Sequence, residues 1–321
     1  MSSKSKVTGS LAEPPVSLIV PTYRRQDILC ETIQSALKQR WREFEIVVID
    51  QTPSTPAFLD ALISQNQDLV RYYKQLEPNL PKARNTGVRL ARFDILLFID
   101  DDVILPESFV ESHVRRLLDD ESTGAVTGPA VAEPFDGDSP DLSAFIKIFD
   151  LDAAAVRSGF SEASWFHGCN FSTRRSVLER AGPFDESFTG SAYCEDVDMG
   201  VRVRESGFRV VFDRDAWLIH LALQSGGCET RNPAQAEQRA RERFRHLLYC
   251  RLKHRKIQGA ALSTKLICRA YRSYLLNRSA LANGAGCVFS RTRATAIESF
   301  KVLHRLKETQ TSHREWSKQP L

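Results

Sequence analysis

An α/β fold built on a parallel sheet is predicted by three features of the chain. Apolar runs at 16–20, 44–49 and 94–99 end on Pro21, Asp50 and Asp100; helix-periodic segments separate the first two; and the runs are unbroken rather than alternating. A strand buried on both faces reads as a continuous hydrophobic stretch, the habit of parallel strands covered by helices.

Taken in order, Val16-Ser17-Leu18-Ile19-Val20 is a buried strand closed by Pro21. Asp27 is placed to cap the next helix, whose apolar face is Leu29, Ile33 and Leu37 at i, i+4 and i+8. Residues 44–49 form a second strand, a helix over about 57–66 follows, and a strand near 70–74 continues the alternation. Residues 94–99 (Asp-Ile-Leu-Leu-Phe-Ile) make the strongest strand and run straight into Asp100-Asp101-Asp102. A strand is expected over 124–131. Residues 134–165 read as an irregular, acidic, substrate-facing loop region. A short helix over 174–181 is stopped by Gly182-Pro183, and one over 195–206 by Gly207. Residues 209–212 and 216–220 read as strands. Beyond Gly226-Gly227 the composition shifts, and residues 233–256 suit a basic amphipathic helix with Phe244, Leu247, Leu248 and Leu252 on one stripe.

With 42% hydrophobic and 26% charged residues in 321, the chain has material for a full core. Residues 1–15 are polar, expected to be disordered, and carry no apolar segment of the signal-peptide kind. No stretch approaches 18 uninterrupted apolar residues, so no membrane span is expected. Seven cysteines stand singly, without a C-x-x-C pair, which argues against a zinc module or a disulfide framework and for a reducing, cytoplasmic setting. The net charge of +4 is unevenly spread. Residues 229–321 hold 20 Lys and Arg against 6 Asp and Glu, leaving 24 basic and 34 acidic residues before them. The expected division is therefore 1–15, a body over 16–228, and a helical basic region over 229–321.

Asp100-Asp101-Asp102 is the most informative feature. It follows a buried strand, so its carboxylates emerge at the carboxyl end of a parallel sheet, where such sheets bind ligands. Three adjacent carboxylates repel one another, and hard oxygen ligands suit Mg²⁺ or Mn²⁺, which share their shells with substrate phosphates. Alone, an Asp-x-Asp is as readily a solvated turn.

Here it does not stand alone. Ser17-Leu18-Ile19-Val20-Pro21-Thr22-Tyr23, Ala83-Arg84-Asn85-Thr86-Gly87, Asp100-Asp101-Asp102 and Gly182-Pro183-Phe184-Asp185 with Glu195-Asp196-Val197-Asp198 follow one another along the chain. In order and spacing, over roughly residues 16–222, they resemble the family 2 inverting glycosyltransferases of GT-A fold. The resemblance implies a Rossmann-like mixed sheet flanked by helices and a nucleotide-sugar donor bearing UDP, GDP or dTDP. It implies that Asp50 and the Pro21-Thr22-Tyr23 backbone receive the nucleotide base and that Arg84 contacts the nucleotide or its phosphates. It makes Asp100 the ribose-side acid and a further metal-site residue, Asp102 the direct ligand of Mn²⁺ or Mg²⁺, and Asp196 the base, with Glu195 orienting the acceptor. Asp101 is placed to touch the sugar. His220, after an apolar strand, is either a metal ligand or structural. Trp165, His167, Gly168 and Asn170 fall on the acceptor side, Trp165 as a stacking ring or a core aromatic. The chain departs from the pattern after Asp50, reading Gln51-Thr52-Pro53-Ser54 where many relatives carry a second acid and Gly-Ser; the base is thereby left open.

Two rivals share the fold or the ligands: a non-catalytic nucleotide- or glycan-binding protein, and a sugar nucleotidyltransferase. The second normally has a glycine-rich loop after the first strand, and Pro21-Thr22-Tyr23-Arg24-Arg25 has no glycine. The acceptor is expected to be a glycan or a lipid-linked sugar. The basic helix either lies on an anionic membrane, at the cytoplasmic face, or packs on the body with its charges in water. Nucleic acid is not an expected partner.

Overall fold

The computed structural model of the chain describes residues 13–133, 140–221 and 236–254, with single positions at 135, 137, 223, 227, 295, 298, 299 and 302. The first half runs β1 (Val16–Thr22), α1 (Gln26–Ala36), β2 (Phe44–Asp50), α2 (Ala57–Gln65), β3 (Val70–Lys74), α3 (Leu80–Leu90), β4 (Ile95–Ile99), β5 (Val103–Ile104) and α4 (Phe109–Leu118). It continues through β6 (Thr123–Thr127), β7 (Ala130–Ala132), α5 (Ser143–Phe149), α6 (Ala153–Arg157), β8 (Phe160–Ala163), β9 (Asn170–Arg174) and α7 (Arg175–Ala181). The last described elements are α8 (Glu195–Glu205), β10 (Arg209–Asp213), β11 (Leu218–His220) and α9 (Ala236–Lys253).

Eight strands form one mixed sheet in the order β3-β2-β1-β4-β9-β6-β10-β8, and β5, β11 and β7 form a small second sheet. β1 is parallel to β2 and β4, and β2 to β3. β9 runs antiparallel between β4 and β6, and β8 antiparallel to β10. Both faces of the large sheet are covered, as the unbroken apolar runs require. Val16, Leu18 and Val20 of β1 pack with Leu29 and Ile33 of α1 on one face. Ile19 packs with Ala83 and Val88 of α3 on the other.

Several expected elements shift. Asp27 does not cap α1; Arg25 occupies the cap position without a side-chain bond to the helix amides, and Asp27 sits in the first turn, where its charge complements the helix dipole. The single strand expected over 124–131 is two, β6 and β7, which belong to different sheets. Residues 134–165 hold two helices and a strand. Asp152 caps α6 by accepting from the Ala154 and Ala155 amides at 2.8 and 3.1 Å. β5, α4 and β9 carry no expectation from the sequence.

α9 packs on the body. Phe244 and Leu248 are buried against Phe188 and Ala192, and Leu247 and Leu252 pack onto the same cluster. The stripe expected to face either lipid or protein is thus covered by protein. Among the described residues no helix is long and apolar enough to cross a membrane. The remaining basic residues of the expected C-terminal region, 255–321, lie almost entirely outside the described residues, as do residues 1–12.

Candidate active site

Strand polarity brings the chemistry to one edge. In the parallel register Thr22 lies beside Asp50 and Asp50 beside Lys74, so the ends of β1, β2 and β3 align. β4 ends next to them and delivers Asp100. Because β9 is antiparallel, its first residue, Asn170, stands opposite Ile99. The loop before it, residues 164–169, therefore arrives at the same edge as Asp100.

A cavity of about 1310 Å³ opens there. Arg84, Asp100, Trp165, Gly168, Glu195, Asp196 and His220 all line it, together with His167 and Cys169. Pro21, Thr22, Tyr23, Asp50, Asp101 and Asp102 do not line it; they form the adjoining part of the same sheet edge.

Asp196, in the first turn of α8, accepts the Gly168 amide at 3.2 Å on one carboxylate oxygen and the Val197 amide at 2.8 Å on the other. Burial pushes its pKa up, against the backbone donors and Arg84. Glu195 is buried and bonded to the Arg84 guanidinium. Burial pushes Glu195 up to about 7 even with that partner. Arg84 is itself buried. Its other nitrogen donates to the Gly168 carbonyl at 2.8 Å and lies 3.7 Å from Asp100. Its guanidinium, expected on the phosphates, thus ties Glu195, Gly168 and Asp100 together.

Gly168 is the hinge of this arrangement. A Cβ there would stand 2.9 Å from both Arg84 Nη2 and Glu195 Oε1. Gly168→Ala is therefore expected to push that pair apart, lowering turnover about tenfold or more while changing the melting temperature little, a split read by steady-state kinetics beside thermal denaturation. Equal kinetics in the variant would show that the pair does not set the geometry.

At the sheet edge, Asp100, Cys169 and His220 each offer a ligand atom within 4.8 Å of one another. His220 Nε2 is also 3.5 Å from Asp102 Oδ1, and its pKa is raised: burial opposes this, and Asp100 and Asp102 outweigh burial. Asp102 is buried with neither oxygen in a hydrogen bond, although Arg25 Nη1 lies 2.8 Å from Oδ2. Carboxylate oxygens that take no hydrogen bond, beside a second carboxylate and an imidazole, are a donor set that fits Mn²⁺ or Mg²⁺. The Cys169 thiol is the poorer match to a hard ion, and burial pushes its pKa far up.

Asp101 faces inward. It accepts from Thr22 Oγ1 at 2.6 Å and Arg25 at 3.3 Å, which anchors the segment after β1 rather than presenting a carboxylate to a sugar. Burial pushes it up to about 7. Asp50 is completely buried and receives Gln26, Lys74, Tyr72 and the Thr52 amide. Burial would raise its pKa; Tyr72 and Lys74 outweigh it, so the carboxyl stays below its usual range. Any nucleobase reaching Asp50 must share or displace one of these donors.

Asn170 corrects the expected acceptor side. It is fully buried, its amide donates to the Pro129 and Ala216 carbonyls at 3.1 and 2.9 Å, and its oxygen faces His113 Nε2 at 2.9 Å. It secures β9 to its neighbours and does not line the cavity. Trp165 does face the cavity, stacked on Phe149 at 4.5 Å between ring centroids. Arg25, Cys169 and the Gln26, Tyr72 and Lys74 donors are the site residues that sequence reasoning missed; only Cys169, flanked by Gly168 and Asn170, had a local signal.

These features define an acid-rich ligand site at the carboxyl edge of an α/β sheet. Residues 17–182 match glycosyl transferase family 2. The chain belongs to that family, and its fold is of GT-A type. Among curated proteins it is similar to validoxylamine A glucosyltransferase of Streptomyces hygroscopicus subsp. limoneus, at 27% identity over 64% of this chain and 51% of that protein. It is also similar to the O-antigen biosynthesis protein RfbC of Myxococcus xanthus, at 28% identity over 64% of this chain and 17% of that protein. The chain spans about half the length of the first of these relatives. Solved structures that share its fold include the following two. One is mannosyltransferase PcManGT from Pyrobaculum calidifontis in complex with GDP-Man and Mn²⁺, with TM-score 0.57 and 20% identity over 95% of this chain and 83% of that one. The other is S. aureus TarS 1-349 in complex with UDP-GlcNAc, with TM-score 0.58 and 16% identity over 83% and 74%.

Proposed function

We propose that the protein is an inverting glycosyltransferase that moves a sugar from a nucleoside-diphosphate sugar to a hydroxyl of a glycan or lipid-linked acceptor. The observation that carries this reading is that one cavity joins Asp100 and His220 to Asp196. A binding protein has no need of a buried, backbone-oriented carboxylate facing a diphosphate-type edge. In this reading Asp196 takes the proton of the acceptor hydroxyl as its oxygen bonds the anomeric carbon. The bond from that carbon to the diphosphate breaks on the opposite face, and its electron pair leaves with the nucleotide. Glu195, held by Arg84, fixes the start of α8, and Trp165 supplies a ring for the acceptor sugar to stack on. The donor lies along Pro21, Thr22, Tyr23 and Asp50, with Asp101 bracing that segment through Thr22. Asp100, Asp102 and His220 would hold Mn²⁺ or Mg²⁺, which when bound neutralises charge on the leaving diphosphate.

The test is release of nucleoside diphosphate from UDP-, GDP- and dTDP-sugars with Mn²⁺ or Mg²⁺. Wild type is expected to hydrolyse one donor slowly, and Asp102→Ala to lose both that turnover and Mn²⁺ binding measured by electron paramagnetic resonance. A wild type that neither turns over nor binds any of the nucleotides with metal present would overturn the reading.

A further inference from the structure

Gly168 meets two site residues with its two backbone groups. Its amide donates to Asp196 Oδ2 at 3.2 Å, and its carbonyl accepts from Arg84 Nη2 at 2.8 Å. The other oxygen of Asp196 takes the Val197 amide, which belongs to the same helical turn and moves with it. The Gly168 amide is therefore the contact that relates the Asp196 carboxylate to the sheet rather than to its own helix.

What places Gly168 is a single side chain outside the cavity. Gly168 stands in the turn from His167 to Asn170 that leads into β9. The turn closes on itself where the Asn170 amide donates to the His167 carbonyl at 3.0 Å. Thr127, the last residue of β6, then ties both ends of it. The Thr127 hydroxyl accepts from the His167 amide at 3.2 Å and donates to the Asn170 carbonyl at 2.7 Å. A hydroxyl carries one hydrogen and two lone pairs, so it serves an amide and a carbonyl at once, which an apolar side chain of the same shape does not. Thr127 is completely buried, so bulk water is not at hand to replace either bond. The Asn170 side chain fixes the far end of the turn through the Pro129 and Ala216 carbonyls. The turn is thus held at its ends by Thr127 and Asn170 and touches Arg84 and Asp196 at its middle.

We propose that Thr127 is a positioning residue for the base: its hydroxyl sets the turn from His167 to Asn170 and, through the Gly168 amide, the direction in which the Asp196 carboxylate meets the hydroxyl it deprotonates. This rests on the transferase reading above and adds to it a residue that does not itself line the cavity.

The test is donor hydrolysis by the full chain with Mn²⁺, water taking the place of the acceptor hydroxyl, on whichever UDP-, GDP- or dTDP-sugar the wild type turns over. Thr127→Val keeps the shape of the side chain and removes the hydroxyl. Its kcat is expected to fall about tenfold or more, since small misplacements of a reacting group are costly. Its affinity for the nucleoside diphosphate, and for Mn²⁺ by electron paramagnetic resonance, should stay near those of wild type. Thr127→Ser returns the hydroxyl without the methyl group and is expected to recover most of the lost kcat. Thr127→Ala repeats the comparison with a smaller side chain should the valine variant fail to fold, as judged by thermal denaturation. The coupling to the base is read in the Asp196→Asn background, where losing the Thr127 hydroxyl should lower kcat far less than in wild type, because no base is left to misdirect. A folded valine or alanine variant with wild-type kcat, a serine variant no better than these, or an equal loss in both backgrounds overturns the proposal. A wild type that hydrolyses none of the donors is a failure of the transferase reading itself, so the two failures are told apart.

Discussion

Replacing Asp196 by Asn is expected to lower sugar transfer by about 10²- to 10⁴-fold, the usual contribution of a positioned general base. The substitution keeps the shape of the side chain, and an amide oxygen can still accept from the Gly168 or Val197 amide that orients the carboxylate. What it removes is the capacity to take a proton. Donor and metal affinity should stay near those of wild type, because Asp196 lines the cavity and is not part of the adjoining β1–β2 edge to which the proposed reading assigns the nucleotide. The deciding measurement is kcat with acceptor beside the dissociation constant of the nucleoside diphosphate. A variant with wild-type kcat would remove Asp196 from the chemistry. A variant that loses nucleotide binding instead would move its role to the donor.

Asp198, two residues further along α8, should affect stability more than any other carboxylate of that helix. It is fully buried and meets Arg202 at 2.9 Å, Lys253 at 2.8 Å and His254 at 2.8 Å. Lys253 also reaches Asp185 at 2.7 Å, and Tyr249 donates to that same acid. Removing one partner of such a network strands the others without water, so Asp198→Ala is expected to cost about 3–5 kcal/mol in urea denaturation. Burial alone would raise the Asp198 pKa, but Arg202, Lys253 and His254 outweigh it and hold the carboxyl far below its usual range. A folded-state pKa below the unfolded value of about 3.9 gives stability that is present above that pH and lost on acidification. The wild type should therefore lose stability more steeply than Asp198→Asn below about pH 4. Parallel acid limbs for the two proteins would show that the carboxylate is not charged in the fold.

Much of the site was legible because its parts are announced by their neighbours in sequence. A buried strand that runs into three acids fixes where Asp100 emerges, and acids at a helix start are a local signal at Glu195 and Asp196. Asn170-Phe171-Ser172-Thr173 carries no such signal. Asn170, Ser172 and Thr173 are fully or almost fully buried, and their side chains reach residues 41 to 59 positions away. A strand whose polar side chains are satisfied across the fold looks like a loop when only its own residues are read. The same holds for Lys253 and His254, whose acids lie more than 50 residues upstream.

Arg25 touches both Asp101 and Asp102, at 3.3 and 2.8 Å. The acidic strand end thus arrives with a counter-charge encoded in the same polypeptide. In the transferase reading, that counter-charge lets the corner close before any ion arrives, and folding is then expected not to wait on the supply of divalent metal. In the transferase reading, a cell short of that metal would hold a full stock of folded but idle protein, ready to resume work when the ion returns.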